Sequence, residues 1–510
     1  MPRLRLALLI AGLCLLAASP AEAAISKDQA VAIATRLPQV RAELASVPAP
    51  RATVSVDGDH YVVLLGSSEA ARAEVDIDIL SGRVLRVFLG DRAEFPLARG
   101  PASGFAQRKL NAVWLWIPLT LIFVFAFFDR RRPFRLLHLD LAAIALLGVS
   151  YAFWMKGNLS ASVPLVYPPL VYLVARSLLA GLGPRQRGGP ITWLPARAVI
   201  ALTLGLVALR VGLTLADTFV SDIGYGSAAG AQRILDGLQL YTRGGAHFDT
   251  YGPLAYLLYI PFVLIWPFHE SQTYPPAAEA AGIVWELITV AGLVVLGRQF
   301  RLGWTLALVW AACPFTALAV VCGSNDGLVA ALLVWTFVAF RSPLLRGGLA
   351  GAAAAAKFAP GFVLPVLARG TGRMNWRRAA ICLVAATAVA VVSLIPLLPP
   401  GGFKEFYDTT IGFQLHRHSP FSIWSQHPSL DWLQALLKAG SLALPLVLMF
   451  VPRGARSLAQ VAAFSAAVLV AAQLPLQHWF YLYIPWVLPL YCVALFSEHA
   501  AGARSAASQP

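Results

Sequence analysis

Long apolar runs alternate along this chain with short polar or arginine-rich turns, and the runs have the length of a bilayer crossing rather than the period of a half-buried surface helix. They are Val113 to Phe128, Leu137 to Met155, Leu165 to Leu182, Ala198 to Ala216, Ala278 to Gly297, Trp304 to Cys322, Leu328 to Phe340, Ala379 to Leu398, Trp432 to Val451, Val461 to Leu474 and Trp479 to Phe496. Each reads as a spanning helix. Ahead of them, residues 25–105 carry a different pattern. Ser26-Lys-Asp-Gln29 followed by Ala30, Ala32, Ile33 and Leu37 predicts a capped amphipathic helix. Alternation at 52–56, 61–65, 73–80 and 83–88, with a Ser81-Gly82 turn, predicts a strand meander.

Arginine-rich loops stay cytoplasmic, and that rule orients the spans. It puts 129–132, Arg185, Arg187, Arg197, Arg298, Arg301, Arg341, Arg346 and 369–378 inside. Counting 251–267 as a span breaks the alternation, and Pro253, Pro261 and Pro267 interrupt it, so this segment is expected in the outer interface. Gly347 to Ala356 and Phe358 to Ala368 are each short, with arginines on both flanks. They are expected to form a hairpin of half-helices with its tip at Lys357.

The expected fold is a polytopic α-helical membrane protein of about 11–13 transmembrane helices, broken hairpin included, with a small extracytoplasmic α+β N-terminal domain. Arg3 and Arg5, the run Leu6 to Ala18 and Ala21-Glu-Ala23 make 1–24 a signal peptide. Three additional spans occupy 110–185, a membrane module 195–497, and a disordered cytoplasmic tail 498–510. The destination is the plasma (inner) membrane.

Composition narrows the class. With 58% hydrophobic and 13% charged residues over 510, no soluble fold could bury the apolar surface. The net charge of +15 sits in short loops instead of the basic stripe a nucleic-acid binder needs. Cys14 leaves with the signal, and Cys313, Cys322, Cys382 and Cys492 show neither a disulfide framework nor zinc spacing.

The topology gathers Asp222, Asp249, Asn325, Asp326, Lys357, His416, Arg417, His418, His427 and His478 at the outer face, which argues for one site. Lys357 interrupts an alanine run, and an ammonium in the bilayer costs about 2.5–3.5 kcal/mol, so it needs a partner, a wet cavity or a snorkelling route to headgroups. Asp222 reads as a general base or as a helix N-cap. Asp326 reads as a ligand or as a residue of the Ser-Asn-Asp-Gly turn, and the loop histidines as ligands or as solvated groups. Arg210 and Glu286 lie at similar depth and are expected to pair, with reversal of both charges restoring what each single reversal loses.

The succession Asp222-x-x-Tyr225 with Leu235-x-Gly237 and Tyr241, Tyr251-Gly-Pro253, Ser324-Asn-Asp326, Ala355-Ala-Lys357-Phe-Ala-Pro360 and His478 to Tyr483 resembles the GT-C membrane glycosyltransferases, in particular their family-87, mannosyltransferase branch. Tyr-Gly-Pro departs from the Tyr-Pro-Pro common in that branch. The helix and meander of 25–105 resemble a PepSY domain, a regulatory or binding module. The resemblance implies inverting transfer of a sugar, mannose foremost, from a polyprenyl-phosphate donor to a lipid or glycan acceptor on the extracytoplasmic face. Asp222 would be the base. Lys357, Arg417, His416, His418 and His478 would bind the donor phosphate, and Tyr225, Asp249, Tyr251, Asn325, Asp326, Trp424 and Trp479 the substrates. No cofactor or divalent metal is required.

Two other classes remain. An oligosaccharide polymerase or ligase would use a lipid-diphosphate donor at the same face. A transporter or flippase would be expected to show inverted repeats, which the chain lacks.

Overall fold

The computed structural model describes residues 24–67, 70–183, 191–242, 249–417 and 419–496. Nearly all of the expected signal peptide and all of the tail 498–510 lie outside the described residues. The chain divides into two compact units, Met1–Arg99 and Gly100–Pro510.

In the first unit Ser26 caps α1 (Lys27–Arg36), and the Gln29 side chain accepts the Ser26 N–H at 2.7 Å, completing the box its sequence promised. Then come α2 (Pro38–Leu44) and four antiparallel strands, β1 (Arg51–Asp57), β2 (His60–Gly66), β3 (Ala71–Asp78) and β4 (Val84–Leu89), in the order β1-β2-β3-β4. Register places Val63 opposite Val75 and Val75 opposite Val87, and these pack with Ala30, Ala34 and Val40 in one core. Strand β3 is buried on both faces. Glu74 is held by Arg99 at 2.7 and 2.5 Å and Asp76 by Arg86 at 2.7 Å, so two guanidinium groups neutralise the carboxylates that alternation would have turned to water.

The second unit is helical, and six of its helices are long and apolar enough to cross a membrane: Leu136–Met155, Leu159–Leu182, Ala196–Ala216, Pro276–Gln299, Trp376–Leu397 and Pro428–Phe450. Six shorter apolar helices accompany them among the described residues. The protein is a polytopic membrane protein with an N-terminal α+β domain.

Three local expectations need correction or sharpening. The run Trp304 to Cys322 is not one helix but α3 (Thr305–Ala312) and α4 (Pro314–Val321), broken at Cys313. Pro314 has no N–H to give the carbonyl four residues back, that of Trp310. Arg210 supplies the missing donors: Nη2 reaches Trp310 O at 2.7 Å and Cys313 O at 2.9 Å, while Nη1 lies 2.7 Å from Glu286 Oε1. Trp310 Nε1 donates to Glu286 Oε2 at 2.8 Å. The expected ion pair is therefore also a brace across a helix break.

The stretch after Leu398, which falls between two of the apolar runs, begins as a helical path through Gly402–Tyr407, a wide turn Asp408–Gly412 and Phe413–His416. Thr409 and Thr410 bond back to Glu405 O at 2.7 Å and Phe406 O at 2.6 Å, and Phe406 sets its ring edge-on to Tyr241 at 4.8 Å. Residues 253–265 form two short helices, Pro253–Leu257 and Ile260–Ile265, each well below crossing length.

The hairpin is present. Helix α5 (Pro343–Ala356) ends as Lys357 turns extended, and the return runs through Ala359–Val363 and Leu364–Arg369. At its base the Arg346 guanidinium lies against Gly370, where a Cβ would sit 3.2 Å from Nη1.

Candidate active site

Asp222 is the first residue of α6 (Asp222–Leu235), which is laid directly on the Gly323-Ser-Asn-Asp326 turn. Ser221 N–H donates to Cys322 O at 2.8 Å, and Asn325 Nδ2 donates to Ser227 Oγ at 2.9 Å one turn farther along. Gly224 is required between these bonds, because a Cβ there would fall 1.9 Å from Gly323 O. This contact sets Asp222 beside the start of α7 (Asp326–Val338).

A second close approach positions Tyr251. Gly252 N–H donates to Ala356 O at 3.1 Å, and a Cβ on Gly252 would come within 2.1 Å of Ala355 O. Proline could supply neither the donor nor the space. The departure from Tyr-Pro-Pro thus has a local cause, and it presses Tyr251 onto the hairpin tip. Lys357 Nζ sits 5.5 Å from the Tyr251 ring centroid and 5.1 Å from that of Trp486.

The Lys357 ammonium is ion-paired with Asp326 Oδ1. Trp486 Nε1 donates to the same oxygen at 2.8 Å, and Ser324 Oγ donates to Oδ2. Asp326 is fully buried and opens a helix, so it is neither a solvent-facing turn residue nor open to a substrate. Lys357 meets its insertion cost through this carboxylate and two aromatic faces.

Near this pair several candidate groups keep contact with solvent. Asp222 is reached by solvent, and Tyr251, Arg417, His478 and Tyr483 are each partly accessible. Protein nonetheless desolvates Asp222 enough to push its carboxyl above the usual range. Its own helix N-terminus at Ile223, then Arg417 and Lys357, draw it back, and Asp326 opposes them. Tyr251 and Tyr483 both feel the charges of Asp222, Arg417 and Asp326, so these groups share one electrostatic neighbourhood. Burial, reinforced by Arg417, holds His478 well below the ordinary histidine range, and Ser419 Oγ lies 2.8 Å from its Nδ1. His478 thus meets the site through a ring whose Nδ1 is engaged by Ser419. Among the described residues Arg417 makes no ion pair within 4.0 Å, which distinguishes it from Lys357.

Other residues go elsewhere. Asp249 is buried beside Arg233 at 3.6 Å and accepts the Tyr241 N–H at 3.1 Å. Tyr225 packs edge-on to Phe268 at 5.0 Å. Trp424 and Trp479 are buried, their indole N–H groups bound by Leu474 O at 2.9 Å and Gln473 Oε1 at 3.0 Å, so neither presents a free face to a sugar. The His416 side chain and His418 lie outside the described residues. Asp217, also near the span end, is taken by Lys109 N–H at 2.5 Å.

Sequence reasoning gave no site role to Trp486, Tyr483, Ser419 or Ser227, although Tyr483 closes the His478 to Tyr483 motif. Two are aromatics inside an apolar run, where nothing in the pattern separates a lipid-facing ring from one facing a lysine.

A model of glycosyltransferase family 87 matches residues 250–478. The chain is a glycosyltransferase. The matched segment contains Tyr251, Asp326, Lys357, Arg417 and His478, whereas Asp222 precedes it and Tyr483 and Trp486 follow. No curated protein matches the chain significantly.

Proposed function

We propose that this glycosyltransferase moves a sugar, mannose foremost, from a polyprenyl-phosphate donor to a lipid or glycan hydroxyl at the extracytoplasmic face of the plasma membrane. The observation that carries the reading is Asp222 itself, a solvent-reached carboxylate at a helix start on which the charge of Arg417 acts. Asp222 accepts the acceptor's proton as its oxygen attacks the anomeric carbon, with inversion. Arg417 receives the departing phosphate as a planar, permanently charged fork. His478 adds a hydrogen-bonding ring, and Lys357, largely offset by Asp326, adds a smaller positive contribution at Asp222.

The reaction draws on no cofactor or divalent metal. Arginine-rich turns at the opposite ends of the spans support the outward orientation. The N-terminal helices and meander support a PepSY-like binding module. A donor attached to one phosphate suits Arg417, which makes no ion pair among the described residues, better than a lipid diphosphate does, which favours monosaccharide transfer over a polymerase or ligase.

The test supplies purified protein with polyprenyl-phosphate sugars and a lipid acceptor. Wild type is expected to release polyprenyl phosphate and Asp222→Asn to be inactive. No transfer from any lipid-phosphate donor overturns the reading, and full activity of the variant removes Asp222 as base.

A further inference from the structure

At the base of the hairpin, about 16 Å from Lys357 by helical rise, three arginines collect with no carboxylate. Arg346, Arg369 and Arg456 are 5%, 4% and 3% exposed. The loops that carry them are joined by reciprocal bonds, Gly372 N–H to Arg456 O at 3.0 Å and Arg456 N–H to Gly372 O at 3.2 Å. Arg369 is spent on carbonyls, Gly372 O and Gly454 O, each at 2.9 Å. Arg346 Nη1 donates to Phe340 O at 3.0 Å, and its guanidinium packs on Gly370. Arg456 makes one such bond, Nη2 to Pro452 O at 3.2 Å, while its Nε and Nη1 and the Nε of Arg346 are buried without a hydrogen-bond partner among the described residues.

Buried charges are ordinarily paired, and three like charges gathered without a partner cost several kcal/mol per ion even after relaxation. The local sequence cannot supply the partner, since residues 327–404 and 432–496 contain no aspartate or glutamate. Phe464 faces Arg456 at 5.1 Å and Phe340 faces Arg346 at 4.6 Å, which offers only partial compensation. Burial, followed by the charge of Arg369, draws the Arg456 guanidinium down to about 10.

We propose that this cluster is an anion site, taking one phosphate-bearing group at the end of the hairpin opposite Lys357. The two unpartnered donors of Arg456, Nε and Nη1, lie on different edges of the guanidinium, so each offers a separate charge-assisted bond to a phosphate oxygen, and the neighbouring guanidiniums supply the potential that holds it. The occupant is either the headgroup of an anionic phospholipid or a free phosphate. Either would brace the base of the hairpin whose tip carries Lys357.

Unfolding temperature of the full-length protein distinguishes these. It is measured in phosphatidylcholine vesicles, in the same vesicles with added phosphatidylglycerol, and in phosphatidylcholine vesicles with inorganic phosphate. Wild type is expected to gain about 2–4 °C in one of the latter two arms, and which arm responds identifies the source. Arg456→Gln is expected to lose more than half of that gain. If that variant does not fold, Arg346→Gln carries the same expectation. A wild type indifferent to both additions, or a variant that responds as fully as wild type, overturns the proposal.

Discussion

Lys357 and Asp326 form an ion pair in the interior, 31 positions apart in sequence, with Trp486 donating to the same carboxylate oxygen. The pair joins the tip of a broken hairpin to the first residue of a helix. Removing one partner leaves a buried, uncompensated charge, so Asp326→Ala is expected to cost about 3–5 kcal/mol. Lys357→Met combined with Asp326→Leu should recover much of that loss. Thermal unfolding of the two singles and the double in detergent makes the comparison.

Arg210 and Glu286 are expected to behave differently. Arg210 also serves Trp310 O, Cys313 O and Thr316 Oγ1, so a carboxylate in its place would face three acceptors. Arg210→Glu with Glu286→Arg should therefore stay close to the worse single variant, contrary to what pairing alone implies. Recovery to wild-type stability would show that the helix-break brace is unimportant.

Asp222 links activity to stability. Its carboxyl is raised in the folded state, so the native protein holds this proton at pH values where the unfolded chain, titrating near the ordinary value of about 3.9, has lost it. Folding stability from this group is complete below the unfolded value and declines as pH rises through the raised one. Asp222→Asn removes the decline. That variant should unfold at a higher temperature than wild type at neutral pH while losing activity, and the acid limb of kcat/KM in wild type should lie above the ordinary carboxylate range. A variant less stable than wild type at every pH would contradict the desolvation of Asp222.

Gly252→Ala tests how Tyr251 is placed. The added Cβ meets Ala355 O at 2.1 Å, so the Tyr251 segment must move away from Lys357. Displacement of about 1 Å near the chemistry costs on the order of 100-fold in rate. The expectation is a fall of that order in kcat/KM with the fold retained, measured by transfer assay alongside circular dichroism.

Much of the architecture was legible. Apolar run length gave the membrane class, Ser26 to Gln29 gave the first helix with its cap, and two-residue alternation gave the four strands. The hairpin was legible from arginines flanking two short runs, and the Arg210 with Glu286 pair from matching depth. The loop after Leu398 was not, because the threonine-to-carbonyl bonds and the Phe406 contact with Tyr241 that shape it have no periodic signature.

The sequence by itself determined which segments leave water, since that depends on side-chain transfer energies summed along a run. Charge placement at the ends of those segments also brought Asp222, Lys357 and Arg417 to one side. Only the tertiary structure decided how the charges are shared. Asp326 takes Lys357, carbonyls and Glu286 take Arg210, Arg233 takes Asp249, and Arg417, without an ion pair among the described residues, acts on Asp222 through its charge. An ion pair is set by distances of a few ångström between side chains remote in sequence. Glycines at 224 and 252 fix those distances by letting two backbones touch.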